Sequence, residues 1–138
     1  MSAIYTAVAM ATGEGREGHV ETSDGRINLD LALPPELGGT GAGTNPEQLV
    51  AMGYAACFSS ALHAVARRRR VTLVPAEVTC EVSLERDDGG YALAFDIRVR
   101  LSGMAPDAAD ELVAEAHRFC PYSRAFTQGA PTAARAET

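Results

Sequence analysis

The chain has 138 residues, with 18 acidic residues against 12 basic ones and a formal net charge of −6. No basic stretch is interleaved with aromatic residues, so neither nucleic acid nor an anionic membrane surface is expected as a partner. A small neutral or apolar ligand fits this balance better. The length allows one hydrophobic core, and we expect a single domain over residues 1–138.

The first residues, MSAIYTAVAM, lack the basic region, apolar run and cleavage site of a signal peptide, so we expect a cytoplasmic protein. Three cysteines cannot all pair with one another, and a reducing cytosol disfavours permanent disulfides. Any disulfide in this chain is therefore expected to be transient or catalytic.

The N-terminal part predicts a meander of short strands. Asp24-Gly25 is a hairpin turn signal between the second strand and a third in which isoleucine and leucines alternate with other residues, which predicts one buried face. The three predicted strands are residues 4–12, 18–23 and 27–33. The glycine-rich ELGGTGAGTN that follows lacks the Lys-Ser/Thr ending of a phosphate-binding loop, so we expect it to serve turns.

A long helix is predicted next. Asn45 suits the N-cap, Pro46 the first helical position, and Gln48 completes a capping-box spacing. Residues 49–66 are apolar nearly all round, which predicts a central helix buried on most sides. Its glycine, alanines and serines make it too weakly hydrophobic for a membrane span. The four arginines of residues 67–70 are expected at its C-terminal end, where positive charge interacts favourably with the helix dipole.

The C-terminal half predicts an antiparallel hairpin and a second helix. Residues 77–86 and 91–101 each place apolar side chains on alternate positions. The inward positions are Val78, Cys80, Val82 and Leu84 on the first strand and Tyr91, Leu93, Phe95, Ile97, Val99 and Leu101 on the second. Residues 106–119 predict a helix with Leu112, Ala116 and Phe119 on one stripe. Helices set against antiparallel strands make an α+β fold.

The three cysteines differ in their surroundings. Cys80 occupies the apolar phase of a strand, where a cysteine serves as a small core residue. Cys57 shares an uncharged helix face with apolar neighbours, so burial is expected to raise the pKa of its thiol. A reactive Cys57 therefore needs a positive group from another segment, and Arg16 and Arg26 are the candidates. A purely structural Cys57 is equally compatible with this pattern.

Cys120 directly precedes Pro121, which disfavours helical geometry at residue 120. We expect Cys120 at a helix end with a mobile chain beyond it, a good position for a resolving thiol. A core residue at the helix end is the alternative. The neighbouring His117 suggests half of a metal site, but the spacing of the other histidines completes none, so we expect no zinc.

Three stretches together resemble the organic hydroperoxide resistance branch of the OsmC-like family: YTAVAMATGEGREG, ELGGTGAGTNPEQLVAMGYAACFSSAL and AHRFCPYS. The resemblance covers nearly the whole chain, and the combination is far more specific than a pair of cysteines. It implies antiparallel sheets packed around the buried central helix, with a second helix. It also implies an intertwined homodimer with active sites at the subunit interface.

The resemblance implies a thiol peroxidase whose four site residues match one by one. Cys57 matches the peroxidatic cysteine and Cys120 the resolving cysteine. Arg16 matches the arginine that stabilises the thiolate, and Glu47 the carboxylate that orients this arginine. Ten helical residues place Glu47 about 15 Å from Cys57 along the helix axis. We therefore expect Arg16 to bridge them, the helix to break, or one group to come from the partner subunit.

Family members reduce organic and fatty-acid hydroperoxides and are recycled by lipoylated proteins. The resemblance therefore implies a hydroperoxide substrate and a lipoylated protein or dihydrolipoamide as external reductant, with no bound cofactor and no metal. Two alternatives stay open: an OsmC-type peroxidase with a different substrate preference, and a redox sensor or acyl-binding module without turnover. The chain departs from the family pattern at its end, SRAFTQGAPTAARAET, which leaves a final strand open.

Overall fold

The computed structural model describes residues 2–73 and 76–138. Its elements in chain order are β1 (Ala9–Thr12), β2 (His19–Thr22), β3 (Asn28–Asp30), α1 (Pro46–Arg68), β4 (Glu77–Asp87), β5 (Gly90–Arg100), α2 (Pro106–Phe119) and α3 (Pro121–Gln128). Within the described residues the strands form two antiparallel sheets, β1-β2-β3 and β4-β5, so the α+β class is confirmed. The chain divides into two compact units, one ending at Leu49 and the other beginning at Val50. The single domain stays a prediction.

The first unit contains the β1-β2-β3 sheet, and its predicted hairpin turn is confirmed. Gly25 adopts a φ of 74°, a left-handed conformation that costs glycine little. The backbone N–H of Thr22 donates to the carbonyl of Ile27 at 2.8 Å and closes the turn. The Asp24-Gly25 signal therefore fixes the register of β2 against β3.

The first strand is shorter than predicted. It was expected over residues 4–12, but β1 begins at Ala9. Its partner β2 ends at Thr22, opposite Ala9, and among the described residues of this unit no further strand pairs with the residues before β1. Backbone pairing, which the sequence pattern does not show, sets the length of this strand.

The third strand is also shorter than predicted, and its expected buried face is wrong. The alternation over residues 27–33 yields only the three residues of β3. Ile27 and Leu29 are exposed, whereas Leu31, just beyond the strand, is buried. Among the described residues of this unit no second sheet packs on this one, and its side chains stay open to solvent.

The glycine-rich loop folds back on the chain as a turn. Leu31 forms an isolated bridge with Thr44, so the two ends of the loop lie together. A Cβ atom on Gly39 would lie 2.1 Å from the carbonyl oxygen of Leu33. This distance is a steric clash, so no side chain fits at residue 39. Gly43 is confined by backbone in the same way. These glycines are required by close backbone approach, as expected for turns.

α1 begins as the sequence predicts. The Asn45 side chain accepts a hydrogen bond from the backbone N–H of Gln48 at 2.9 Å, which satisfies one of the free donors of the first turn. The Gln48 side chain does not complete a reciprocal capping box, because its oxygen accepts a hydrogen bond from the Thr44 hydroxyl at 2.9 Å. Asn45 and Pro46 thus start the helix at the predicted residue.

The buried residues of α1 are Tyr54, Phe58, Ala61, Leu62, Val65 and Ala66. Most of its other residues are half-buried, so the helix is covered on most sides as expected. The exception before the terminal arginines is one stripe, residues 48, 52, 56 and 60, in which Met52 is 58% exposed. Among the described residues, α1 is the one helix long and apolar enough to cross a membrane by length and composition, a test that core helices of soluble proteins also pass.

The β4-β5 hairpin is antiparallel, as predicted, and supplies one wall of the core. Cys80 lies opposite Ile97, and Val78, Val82 and Phe95 share their half-buried face. Two residues expected to point into the core are exceptions: Tyr91 is 66% exposed and Leu93 is 44% exposed. Both lie near the tip of the hairpin, and neither belongs to the set of side chains packed on the core.

α2 confirms the second predicted helix, with one exception in its stripe. Leu112 and Ala116 are buried in the core. Phe119 was expected beside them, but it is 47% exposed. The guanidinium carbon of Arg68 lies 4.6 Å from the centre of its ring, so Phe119 makes a cation–π contact at the end of α1.

The chain beyond Cys120 differs from the prediction of a mobile segment. α3 begins at Pro121, directly after Cys120, and ends at Gln128. The ring of Phe126 in α3 stacks on the ring of Phe95 in β5, with ring centres 4.3 Å apart. Residues 129–138 form neither helix nor strand, so the final strand of the family pattern does not form here.

Candidate active site

The thiols of Cys57 and Cys120 lie side by side. Their sulfur atoms are 3.7 Å apart, and the Cys120 thiol donates a hydrogen bond to the Cys57 sulfur. Both cysteines are free thiols in this structure. A disulfide bond is about 2.0 Å long, so only a short approach separates the two sulfurs from bonding distance. Residues 63 positions apart are thus brought together as a redox pair requires.

Local sequence explains where Cys120 lies. The following Pro121 disfavours helical geometry, and Cys120 has an extended backbone with φ −64° and ψ 123°. The residue therefore closes α2 and opens α3 at a sharp corner. Its side chain is fully buried. The sequence left two interpretations of Cys120, a core residue or a thiol placed to react with Cys57. The structure agrees with part of each, because Cys120 is buried in the core and also contacts Cys57.

The surroundings of Cys57 favour the protonated thiol. Burial, and then the neighbouring Cys120, raise the pKa of Cys57 above its ordinary value of 9.0. The backbone N–H of Tyr122, in the first turn of α3, acts in the opposite direction and lowers this pKa. The apolar helix face thus behaves as the sequence predicts. A thiolate at neutral pH requires a further positive group.

Arg16 and Glu47 form a two-point ion pair. The two terminal nitrogens of the Arg16 guanidinium donate to the two carboxylate oxygens of Glu47, at 2.8 and 2.5 Å. The side chain of Glu47 is only 15% exposed and that of Arg16 is 35% exposed. This geometry aligns the guanidinium plane with the carboxylate. The pairing that the family resemblance implied for these residues is therefore present.

The two residues of the ion pair lie in two different helical turns. Arg16 lies in a 3₁₀ turn, Gly15–Glu17, and Glu47 lies in the first turn of α1. The hydrogen bonds from Arg16 hold the pKa of Glu47 below its ordinary value of 4.5, although burial opposes this effect. The backbone N–H of Glu47 lowers the pKa further. Glu47 therefore keeps its charge and can orient Arg16.

Arg26, the other candidate cation, has a different role. Its side chain is 86% exposed and pairs with Asp24 in the β2-β3 turn. The backbone N–H of Arg26 donates to the same carboxylate at 3.0 Å. Arg26 is therefore a residue of the hairpin turn.

Sequence reasoning did not predict the hydrogen bonds that join Tyr54, Ser123 and His117 in the second unit. The hydroxyl of Ser123 lies 2.7 Å from the Tyr54 hydroxyl and 2.9 Å from Nδ1 of His117. Ser123 is fully buried. The signal was available in the CPYS motif, because a serine three residues after a buried cysteine must find partners of its own.

An open pocket of about 350 Å³ lies in the second unit, next to these groups. It is lined by Tyr54, Phe58, Phe95, Asp96, Ile97, Asp110, Val113, Ala114 and His117. Most of its wall is apolar or aromatic, with two carboxylates and an imidazole. His117 belongs both to this wall and to the hydrogen-bonded group around Ser123.

Cys80 is a core residue, and the histidines of the described residues belong to no metal-binding group. Cys80 packs against the core as predicted, and burial and then the nearby Asp96 raise the pKa of its thiol. Over residues 2–73 and 76–138, no group of three or more histidine, cysteine, aspartate or glutamate side chains is arranged to hold a metal ion.

Comparison with known proteins gives consistent matches. The model of the family "OsmC-like protein" matches residues 39–134. The organic hydroperoxide resistance protein OhrA of Bacillus subtilis is 48% identical over 126 residues, covering 88% of each chain. The organic hydroperoxide resistance protein of Xanthomonas axonopodis pv. citri is 46% identical over 125 residues, covering 88% of this chain and 87% of the relative.

A solved structure matches over nearly the full length. The crystal structure of an organic hydroperoxide resistance protein from Legionella pneumophila has 48% sequence identity and a TM-score of 0.87, and the match covers 93% of each chain. The fold expected from the sequence is thus found in a relative of high identity.

Proposed function

Because the chain belongs to the organic hydroperoxide resistance branch of the OsmC-like family, we propose that it is a thiol-dependent peroxidase that reduces organic hydroperoxides to alcohols. The observation that carries this proposal is the 3.7 Å approach of the Cys57 and Cys120 sulfurs. Two free thiols at this distance can form a disulfide with little movement of the chain.

In the first step, the Cys57 thiolate attacks the distal oxygen of the hydroperoxide. A sulfur–oxygen bond forms as the oxygen–oxygen bond breaks, and the electron pair leaves on the alkoxide, which takes a proton and becomes the alcohol. Cys57 is left as a sulfenic acid. Only the thiolate reacts at a useful rate, so the pKa of Cys57 must fall during catalysis.

Arg16 is proposed to supply the positive charge for that step. A guanidinium beside the sulfur stabilises the thiolate and donates a hydrogen bond to the peroxide oxygen. Glu47 is proposed to orient Arg16, a role supported by their two-point ion pair. The burial that raises the pKa of Cys57 is the effect that Arg16 has to overcome.

In the second step, the Cys120 sulfur attacks the sulfur of the Cys57 sulfenic acid. The disulfide forms as the sulfur–oxygen bond breaks, and the hydroxide leaves as water with the proton of the Cys120 thiol. This step protects Cys57 from further oxidation. An external dithiol, a lipoylated protein or dihydrolipoamide, then reduces the disulfide by exchange and becomes oxidised itself. No bound cofactor is needed.

We further propose a cytoplasmic homodimer with its sites at the subunit interface. Support comes from large apolar side chains exposed in the single chain, among them Ile4, Tyr5, Val8, Met10 and Met52. Apolar surface of this kind marks an interaction site.

Two other functions remain in competition. An OsmC-type peroxidase with another substrate preference would reduce hydrogen peroxide as efficiently as cumene hydroperoxide. A redox sensor or acyl-binding module would oxidise once per site and show no steady-state loss of peroxide. Peroxide consumption with dihydrolipoamide, measured for both substrates, tests the proposal: we expect sustained turnover that favours cumene hydroperoxide. A single stoichiometric oxidation would overturn it.

A further inference from the structure

The hydroxyl of Ser123 links three helices. It lies in the first turn of α3, 2.7 Å from the hydroxyl of Tyr54 on α1 and 2.9 Å from Nδ1 of His117 on α2. We call this group the Tyr54–Ser123–His117 chain. Ser123 is fully buried, so no water competes for these bonds. A serine hydroxyl has one proton and two lone pairs, and it can therefore donate to one neighbour and accept from the other.

Each member of the chain lies one helical turn from a thiol. Tyr54 precedes Cys57 by three residues on α1, and residues three apart are neighbours on a helix surface. His117 precedes Cys120 by three residues, and Ser123 follows it by three. The three side chains therefore tie together the same three helical segments that bring the two sulfurs together.

The backbone at the Cys120 corner is held by hydrogen bonds from the N–H of Cys120 to the carbonyl of Ala116 and from the N–H of Arg124 to the carbonyl of Cys120, at 2.8 and 3.0 Å. Pro121 has no backbone N–H and so offers no donor there. The Cys120 thiol donates its side-chain hydrogen bond to the Cys57 sulfur, the atom that changes when Cys57 is oxidised. α3 has eight residues, too few to be a stable helix alone. Contacts to other elements must therefore hold it.

The Tyr54 hydroxyl is suited to this task at all moderate pH values. Burial raises its pKa above the ordinary value of 10.0, which keeps the hydroxyl neutral and able to donate. The ring is held as well, since Tyr54 lies against Phe95 with ring centres 5.6 Å apart. One end of the chain is thus anchored in the core of the second unit.

We propose that the Tyr54–Ser123–His117 chain is a positioning device for the disulfide-forming step, an inference that rests on the proposed function. It holds the corner of α2 and α3 so that Cys120 stays within reach of Cys57 after Cys57 becomes a sulfenic acid. Forming the disulfide requires the sulfurs to close from 3.7 Å to about 2.0 Å. A misplacement of about 1 Å can cost a factor of a hundred in rate, so small shifts of the corner matter.

The test follows the fate of the Cys57 sulfenic acid. With excess cumene hydroperoxide, the sulfenic acid either forms the disulfide with Cys120 or is oxidised again to a sulfinic acid. Intact-protein mass spectrometry measures the ratio of the two products. We expect Ser123→Ala and His117→Leu to lower the ratio of disulfide to sulfinic acid by about tenfold or more. His117→Asn, which keeps a polar atom near the position of Nδ1, should restore most of it.

A merely structural role would lower the melting temperature without changing this ratio. Ser83→Ala, at an exposed serine of β4, and Tyr91→Phe, at an exposed tyrosine of β5, are the matched controls and should leave it unchanged. If Ser123→Ala does not fold, Tyr54→Phe removes a hydroxyl of the same chain and should shift the ratio in the same direction.

Two results distinguish a failure of the proposed function from a failure of this inference. If wild-type protein forms neither disulfide nor sulfinic acid with cumene hydroperoxide, the proposed function is wrong and the inference falls with it. If wild type reacts but Ser123→Ala and His117→Leu keep its product ratio, the inference alone is wrong. Equal loss in His117→Asn and His117→Leu would also overturn it.

Discussion

Glu47 accepts two hydrogen bonds from Arg16, at 2.8 and 2.5 Å, and both side chains are partly covered. Two parallel bonds of this kind fix the plane of a guanidinium as well as its position. The thiol of Cys57, by contrast, has its pKa raised by burial and by Cys120. In the proposed function Cys57 is the nucleophile and Arg16 supplies the positive charge that stabilises its thiolate. Glu47 orients Arg16.

The first prediction concerns Arg16→Met. Loss of the guanidinium should raise the pH at which Cys57 becomes a thiolate and slow its reaction with cumene hydroperoxide by about a hundredfold at neutral pH. Stopped-flow measurement of the first step between neutral and alkaline pH checks this. Arg26→Met removes an equal charge from the exposed turn and should have little effect. Equal rates in the two variants would refute the role of Arg16.

The second prediction concerns acid stability and Glu47. Because the pKa of Glu47 in the folded chain lies below its ordinary value of 4.5, the ion pair stabilises the fold fully above that pH. This contribution is lost as the pH falls through the lowered pKa. Glu47→Gln should therefore destabilise the protein at pH 7 by roughly 1 kcal/mol, allowing for solvent screening at Arg16.

Melting temperatures of wild type and Glu47→Gln between neutral and acid pH measure this effect. The difference between the two proteins should shrink as the pH falls below 4.5. Glu36→Gln, at an exposed glutamate of the same unit, serves as the control and should follow wild type throughout. A pH-independent difference for Glu47→Gln would show that the ion pair does not stabilise the fold through its charge.

The third prediction concerns Cys120→Ser. The first oxidation should proceed at a rate close to that of wild type, because Cys57 and its thiolate chemistry are retained. The sulfenic acid should then persist and pass to sulfinic acid under excess peroxide. Trapping of the sulfenic acid with dimedone and mass spectrometry detect both products. Formation of a disulfide in Cys120→Ser would point to Cys80 as an unexpected partner.

The fourth prediction concerns the core. Leu62 is fully buried on α1, and Leu62→Ala should lower the free energy of unfolding by about 2–5 kcal/mol. Leu93→Ala, near the tip of the β4-β5 hairpin, removes the same atoms from a 44% exposed side chain and should cost much less. Denaturant unfolding at equal protein concentration compares them. Similar losses would mean that the hairpin tip is buried in solution.

The regular elements were largely predictable from local patterns. The period of two in residues 77–101 predicted the β4-β5 hairpin, and Asn45 and Pro46 predicted the start of α1. α3 was not predicted, because an eight-residue helix is not stable by itself and leaves a weak pattern. Its stability depends on long-range contacts, such as the stacking of Phe126 on Phe95.

The sequence predicted the candidate site residues but not their geometry. The resemblance named Arg16 with Glu47 and Cys57 with Cys120, and the two members of each of these pairs are in contact. The hydroxyl of Ser123 was missed because its partners come from two other helices. Only the folded chain brings such groups together.

The most direct test of the account is steady-state consumption of cumene hydroperoxide with dihydrolipoamide, comparing wild type with Cys57→Ser. The two proteins differ by one atom, sulfur against oxygen, so a difference in turnover reports on the thiol. The account predicts sustained turnover by wild type and none above background by Cys57→Ser. Turnover by Cys57→Ser at the rate of wild type would contradict it.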